Sequence, residues 1–199
     1  MKKTLLSLAL LFSLSSFAQT ETLFSGSHKV GGFGGPLFQF ASFDGEFAYY
    51  SGGGGGAIID GKFFVGGYGM SLNSDHVVEI PHSTLAVMVP YHAELGMGGL
   101  WLGYIHRPTK LIHLNFSLQA GGGGLSFDRV SDGQEYSLDD SFFALQPSLG
   151  AEFNIFNWMK VSVNGGYQII TGLDNPYVSN QMSSTPFAQI GLKFGFFAE

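Results

Sequence analysis

Six histidines and fifteen carboxylates are the side chains best able to move protons or hold a metal in this 199-residue chain. No cysteine is present, which excludes thiol catalysis, thiolate ligation and disulfides. Nucleophilic catalysis needs a base and a nucleophile within hydrogen-bond reach of each other. His113 is followed two residues later by Asn115, and His82-Ser83 are adjacent, so neither spacing sets such a couple on one strand face. Asp139-Asp140 and Asp75-His76 are pairs of the kind that activate water, but acids and histidines in loops are ordinarily solvated surface. His76, His82 and His92 share a segment with Asp75 and Glu79, and imidazole with carboxylate suits a transition metal. Their spacing matches no fixed ligand motif. No catalytic, cofactor or metal residue is therefore assigned.

Two charges stand apart from this set. Glu152 and Lys193 lie within runs whose polar positions are otherwise Gly, Ser, Asn and Gln, and Glu94 lies nearer the end of another run. A buried charge without a partner is costly, so Glu152 and Lys193 are expected to form an interior ion pair joined by Glu94. Plain structural closure is the expected role, with a gate as the alternative. The glycine runs, Gly52 to Gly56 and Gly121 to Gly124 among them, look superficially like phosphate loops. A phosphate loop needs a strand-to-helix context and a following Lys and Ser/Thr, neither of which occurs here. Close backbone approach in a narrow, tightly curved sheet is the better account, with Gly54 and its neighbours leaving room for bulky side chains opposite.

The elements that would carry these residues alternate with period two. Ile112, Leu114, Phe116 and Leu118 oppose His113, Asn115, Ser117 and Gln119; Phe143 to Ile155 and Ala188 to Phe196 repeat the pattern. Eight strands are expected, at 33–43, 46–59, 62–72, 93–106, 111–127, 142–156, 159–171 and 186–197. Each is as long as the ~9–11 residues that a tilted strand needs to cross a bilayer. Asp44-Gly45 and Asp60-Gly61 are hairpin dipeptides, and 107–110 and 157–158 are also short. The connections 73–92, 128–141 and 172–185 are long, and long alternates with short from the third strand on. That is the asymmetry of membrane barrels, whose periplasmic turns are short and external loops longer. Residues 83–91 contain a further apolar run broken by Pro90, read as the fourth strand continuing above the membrane.

Residues 1–18 read as a cleaved export signal: Lys2-Lys3, the apolar run from Leu5 to Phe17, and Ser16-Phe17-Ala18 before a cut at Gln19. Residues 19–32 would then be a periplasmic segment and 33–199 the barrel. Removing the signal leaves seven basic against fifteen acidic residues, a net charge of −8 that argues against a nucleic-acid partner. Charged residues are 12% of the chain, against ~25% in soluble domains, while twenty residues are Phe. A soluble barrel would turn Lys, Glu and Arg to water. Small neutral amides and hydroxyls instead suit the tight lumen of an eight-stranded barrel, with the apolar face toward lipid. Aromatics at the expected interfaces agree: Phe43, Phe47 and Tyr49 at one level, Phe63, Tyr104, Phe156, Trp158 and Phe197 at the other.

Gly34-Gly35-Pro36-Leu37-Phe38, Asp44-Gly45-Glu46-Phe47, the Gly52–Gly56 run with Ile58-Ile59, and Phe64-Val65-Gly66-Gly67-Tyr68-Gly69 carry a resemblance. Over about 30–105 the chain resembles small outer-membrane β-barrels of the OmpA/OmpX-like type, in particular uncharacterised barrels of the Bacteroidota. The resemblance implies an all-β, transmembrane, antiparallel up-and-down barrel in the bacterial outer membrane. It also implies outer-membrane lipid, periplasmic chaperones and the barrel-assembly machinery as partners. Barrels of this type commonly end in an aromatic residue, whereas Phe196-Phe197 is followed here by Ala198-Glu199. Their lipid-hydrolysing relatives carry a His-x-Ser pair that this chain lacks, and their proteolytic relatives have ten strands. The expected function is non-enzymatic: structural, or surface binding through the external loops. The alternative is a narrow channel or carrier for small, hydrophobic molecules.

Overall fold

The computed structural model describes residues 28–43, 45–81, 88–131, 134–174, 180 and 184–197. Its strands are β1 (Val30–Phe43), β2 (Glu46–Ile59), β3 (Phe63–Leu72), β4 (Val77–Pro81), β5 (Met88–His106), β6 (Ile112–Ser131), β7 (Gln134–Phe156), β8 (Met159–Thr171) and β9 (Thr185–Phe196). Every pairing is antiparallel, in the order β3-β2-β1-β9-β8-β7-β6-β5, and β3 pairs with β5 to close an eight-stranded ring. The chain is an up-and-down β-barrel, in which no wall strand has a free edge facing lipid.

At one end, here the turn end, the connections are tight. Asp60 and Gly61 have φ of 52° and 65°, the two positive values that a type I′ turn demands. The other, the loop end, differs from the expected layout in two ways. β5 begins at Met88, so the fourth barrel strand does continue upward through 88–91, with 83–87 outside the described residues, and it gains a partner: β4 runs beside it from Val77↔His92 to Pro81↔Met88. The expected loop at 128–141 is instead the upper part of a hairpin, with β6 and β7 paired as far as Ser131↔Gln134. Asp132-Gly133, the same dipeptide that marks the tight turns, occupies the two positions between them. β1 also starts three residues before the expected position 33.

The outward face is apolar. Leu100, Ile112, Leu114, Phe116, Leu149 and Val163 all stand exposed on the wall. The inward face differs between the two halves of the ring. In β6 to β9 it is, from the turn end to mid-wall, His113, Asn115, Ser117, Gln119, Gln146, Glu152, Asn164, Gln168, Gln189 and Lys193, all buried, with Leu125, Phe127, Phe142, Ala144 and Ile170 buried nearer the loop end. The polar part is the lining that alternation predicts. In β1, β2, β3 and β5 the lumen is instead filled by Phe33, Leu37, Tyr50, Ile58, Phe64, Tyr68, Met97 and Trp101. Glycine makes that possible. A Cβ on Gly54 would meet the Trp101 ring at 3.0 Å, so the bare backbone there is the recess the indole fills.

Aromatic rings gather at both rims. Phe40 packs against Phe47 and Tyr49 at the loop end, while Phe63 meets Tyr104 and Phe156 stacks on Trp158 at 5.3 Å at the turn end. Phe43 and Phe197 do not join these girdles as expected. Both turn inward and are buried, because their positions fall on the lumen parity of β1 and β9.

Candidate functional site: the lumen plug and the two rims

Polar side chains fill the lumen in two layers. Near the turn end, Glu152 on β7 sits opposite His113 on β6, and Lys193 on β9 sits opposite Lys160 on β8. The Lys193 ammonium donates to Glu152 Oε2 at 2.5 Å, and the other Glu152 oxygen lies 3.3 Å from His113 Nε2. None of these side chains reaches solvent appreciably. The Lys193 ammonium also lies 4.9–5.5 Å from the ring centres of Phe33, Phe64 and Trp101. A cation is favourably placed against aromatic faces at such distances. One charge pair thus ties β9 to β7 and to the aromatic half of the lumen.

Glu94 is not part of this cluster. It lies on the outward face of β5, solvent-exposed, near the loop end and opposite Ser126. Outward parity and its distance along β5 from the turn end both keep it from the pair.

The second layer consists of five glutamines, one each on β1, β6, β7, β8 and β9, and each is at most 2% exposed. Gln39 and Gln146 Nε2 donate to Gln168 Oε1 at 3.0 and 2.8 Å. Gln189 Nε2 donates to Gln39 Oε1 at 3.1 Å and to Gln119 Oε1 at 3.2 Å. The layer spans from β1 round to β6, and Met97 and Met70 sulfurs meet its amides from the opposite wall. Alternation placed Gln119, Gln146 and Gln189 on the polar face, but Gln39 and Gln168 lie in aromatic-rich or short-period stretches that hid them. A single mid-strand Gln recurring on five strands was the available signal.

At the loop end, Asp75 Oδ1 accepts from His92 Nδ1 at 2.8 Å, while the contact to His76 is made by the Asp75 backbone carbonyl, 3.0 Å from His76 Nδ1. His76 is buried and stacked on Phe43, with ring centres 5.4 Å apart. His82 and the Glu79 side chain lie outside the described residues. Among the described residues no group of three or more His, Asp or Glu is arranged to hold a metal. Asp140 accepts from the backbone N–H groups of Ser141 and Asp174, anchoring the β8–β9 connection to β7. His113 Nδ1 lies 3.0 Å from the Lys110 carbonyl, and the Ser117 hydroxyl bonds Ser148 rather than an imidazole. At the turn end, Asp60 bonds His28 at 2.7 Å and the Lys29 N–H at 3.0 Å. These two bonds, in that order of size, hold its carboxyl below the usual aspartate value.

No family model matches the chain, and no curated protein sequence does. Solved structures do. Neisserial surface protein A (NspA) aligns over 86% of this chain and 99% of its own, at 8% identity and a TM-score of 0.55. Ail, the attachment invasion locus protein of Yersinia pestis, solved with the heparin analogue sucrose octasulfate, aligns over 86% of this chain and 100% of its own, at 16% identity and a TM-score of 0.50. At such identities the likeness concerns the fold. The chain shares the closed, eight-stranded, membrane-spanning barrel of these proteins.

Proposed function

We propose that this chain is a non-enzymatic barrel of the bacterial outer membrane, plugged along its axis, whose function is to present a projecting sheet at the cell surface. The observation that carries the reading is the mismatch in wall height. β8 pairs with β7 only up to Thr171↔Phe143, whereas β7 pairs with β6 nine residues farther, to Gln134. β4, β5, β6 and β7 therefore rise together above the ring while β1 and β2 turn back at Gly45. Strands carried beyond a membrane wall have hydrogen-bonding edges that an extended segment of a partner can join.

The plug supports this over transport. A conduit needs a continuous wet path, and here the glutamine layer and the Glu152–Lys193 layer lie in series across the lumen. The surface partner is unlike the polysulfated ligand in the Ail structure, because Glu46, Asp75, Glu94, Asp139, Asp140 and Asp174 give this loop end an acidic surface that would repel it.

The test has two arms. Purified barrel in a planar bilayer is expected to give no steady conductance; defined channel openings would favour the conduit. Replacing residues 129–136 by an Asn-Gly turn, which joins Asp128 to its ladder partner Ser137, is expected to abolish adhesion of barrel-displaying cells to their surface target. Unchanged adhesion with a correctly folded barrel would overturn the presentation role.

A further inference from the structure

Glycines of two kinds share the wall. Those pointing inward clear space for side chains: a Cβ on Gly123 would strike the Phe142 ring, and one on Gly103 the Phe64 ring. Those pointing outward toward the loop end of β3, β5 and β6 clear space for nothing in the barrel. A Cβ on Gly69 or Gly96 would meet no atom within 4 Å, and on Gly122 or Gly124 none nearer than 3.8 Å. None of these four has a positive φ. Glycine weakens a strand by roughly 0.5–1 kcal/mol, and a lipid-facing position favours a bulky apolar side chain. Neither backbone conformation nor packing within the chain accounts for them.

They lie side by side. Gly69 pairs with Gly98 and Gly98 with Gly122, while Ser71 pairs with Gly96 and Gly96 with Gly124. Two register rows three strands wide thus form a floor of bare backbone on the lipid-facing wall. Taller side chains bound it, Leu100 toward the turn end and Phe143 on β7, 60% and 50% exposed. Toward the loop end the floor runs into a recess of about 530 Å³, lined by Ser71, Glu94, Gly96, Gly124, Ser126 and Asp139 with a few neighbours. Asp139 and Asp140 have contacts of their own. Glu94, exposed on the outward face opposite Ser126, gives the recess its charge. It stands at the step of the aromatic rim. Asn73, two residues nearer the loops than Ser71, donates its N–H to the Tyr49 carbonyl, and Glu94 is two residues nearer the loops than Gly96, the partner of Ser71. Basic residues gather at the far end of the wall, with Lys62, Arg107 and Lys110 in or beside the tight turns and Lys193 just inside.

We propose that this hollow seats an amphiphile with an ammonium headgroup, drawn from the leaflet at the loop end, its cation on Glu94 and its acyl chain over the glycine floor. Within a bilayer, association comes from close packing rather than from the hydrophobic effect, and small residues let a partner reach the backbone. An ammonium donating to a carboxylate makes a charge-assisted hydrogen bond, and Ser71 and Ser126 add hydroxyls to the same recess. A second copy of the barrel is a poorer occupant, because a two-fold axis along the membrane normal brings Glu94 toward Glu94. A phosphate headgroup meets the same repulsion. The assignment rests on the wall facing lipid and not on what the projecting sheet binds.

Native mass spectrometry of the barrel released from detergent tests it, with three dioleoyl probes that differ in headgroup: dimethylammonium-propane, uncharged glycerol and phosphatidylglycerol. Retention is expected to fall in that order. Glu94→Gln is expected to lower retention of the ammonium lipid by about fivefold, the upper range for an exposed ion pair, and to leave that of dioleoylglycerol unchanged. Gly96→Leu and Gly124→Leu, whose side chains have room on the barrel itself, are expected to lower retention of both lipids by about fivefold, the low end of the cost of overpacking. Gly34→Leu adds the same bulk to β1 outside the recess, where a Cβ has 3.6 Å of clearance, and leaves retention unchanged. A heat-modified gel shift identifies any variant that has failed to fold. Equal retention of the three lipids, preference for phosphatidylglycerol, undiminished retention in folded Gly96→Leu, or an equal loss in Gly34→Leu overturns the proposal. So does a dimer in the spectrum that Gly96→Leu dissolves, which makes the floor an interface between copies.

Discussion

Glu152 shows what a single residue contributes when lipid surrounds the protein. It answers Lys193 directly and His113 at slightly longer reach. Glu152→Ala is expected to lower the urea-unfolding stability of the barrel in lipid by about 3–5 kcal/mol, because it strands a buried ammonium. Adding Lys193→Met should recover much of that loss, and a double variant as unstable as the single would show that the pair is not coupled. Asp60 makes a gentler clamp. Its folded carboxyl gives up a proton more readily than the unfolded one, so its contribution is complete above the ordinary aspartate pKa of 3.8 and fades as pH falls through the lower folded value. Carbon-detected NMR titration should find Asp60 below 3.8 in the native protein and shifted upward in His28→Ala. No change on removing His28 would refute the clamp. The Glu152–Lys193 contact was legible in sequence because two ionised groups stood alone among amides and glycines. Lys160 and His113 were not, since each lies at a strand end where a charge reads equally well as solvated.

At the scale of the strand, period-two alternation located all eight wall strands, and Asp-Gly marked the tight turns. It misjudged the height of β6 and β7 because Asp128, Arg129 and Glu135 read as loop composition, although the strand simply continues into water, where both faces tolerate charge. It also misread the lumen of β1 to β3. There aromatic residues alternate with glycine, and hydropathy alone cannot say which of an aromatic and a glycine face points inward. The packing of Trp101 into the hollow at Gly54 resolves that. In a Trp158→Phe background, Trp101 should emit as a buried indole. Gly54→Leu should shift its emission to the red and lower stability by about 1–3 kcal/mol, the usual range for overpacking a filled interior. An unmoved spectrum would mean that the recess is not where the indole sits. The hairpin replacement should leave the heat-modified migration of the barrel intact, since the described residues it excises pair with one another, from Arg129↔Tyr136 to Ser131↔Gln134.

Across the whole molecule, two opposed gradients run along the axis: basic groups toward the tight turns, carboxylates toward the raised sheet. Low charge with abundant Phe was enough to infer a membrane-embedded wall. The axial sorting became visible only once each connection had been assigned to an end. The seam between β1 and β9, paired from Gly32↔Phe196 to Phe40↔Ala188, has a consequence for the life history of the chain. The strand made nearly first and the strand made nearly last are mutual neighbours, so the cylinder cannot grow inward from either side and be sealed piecemeal. Until β9 arrives, the backbone of β1 has no partner on that flank and cannot enter hydrocarbon. The docking of the final twelve-residue ribbon against β1 is therefore the step that seals the cylinder.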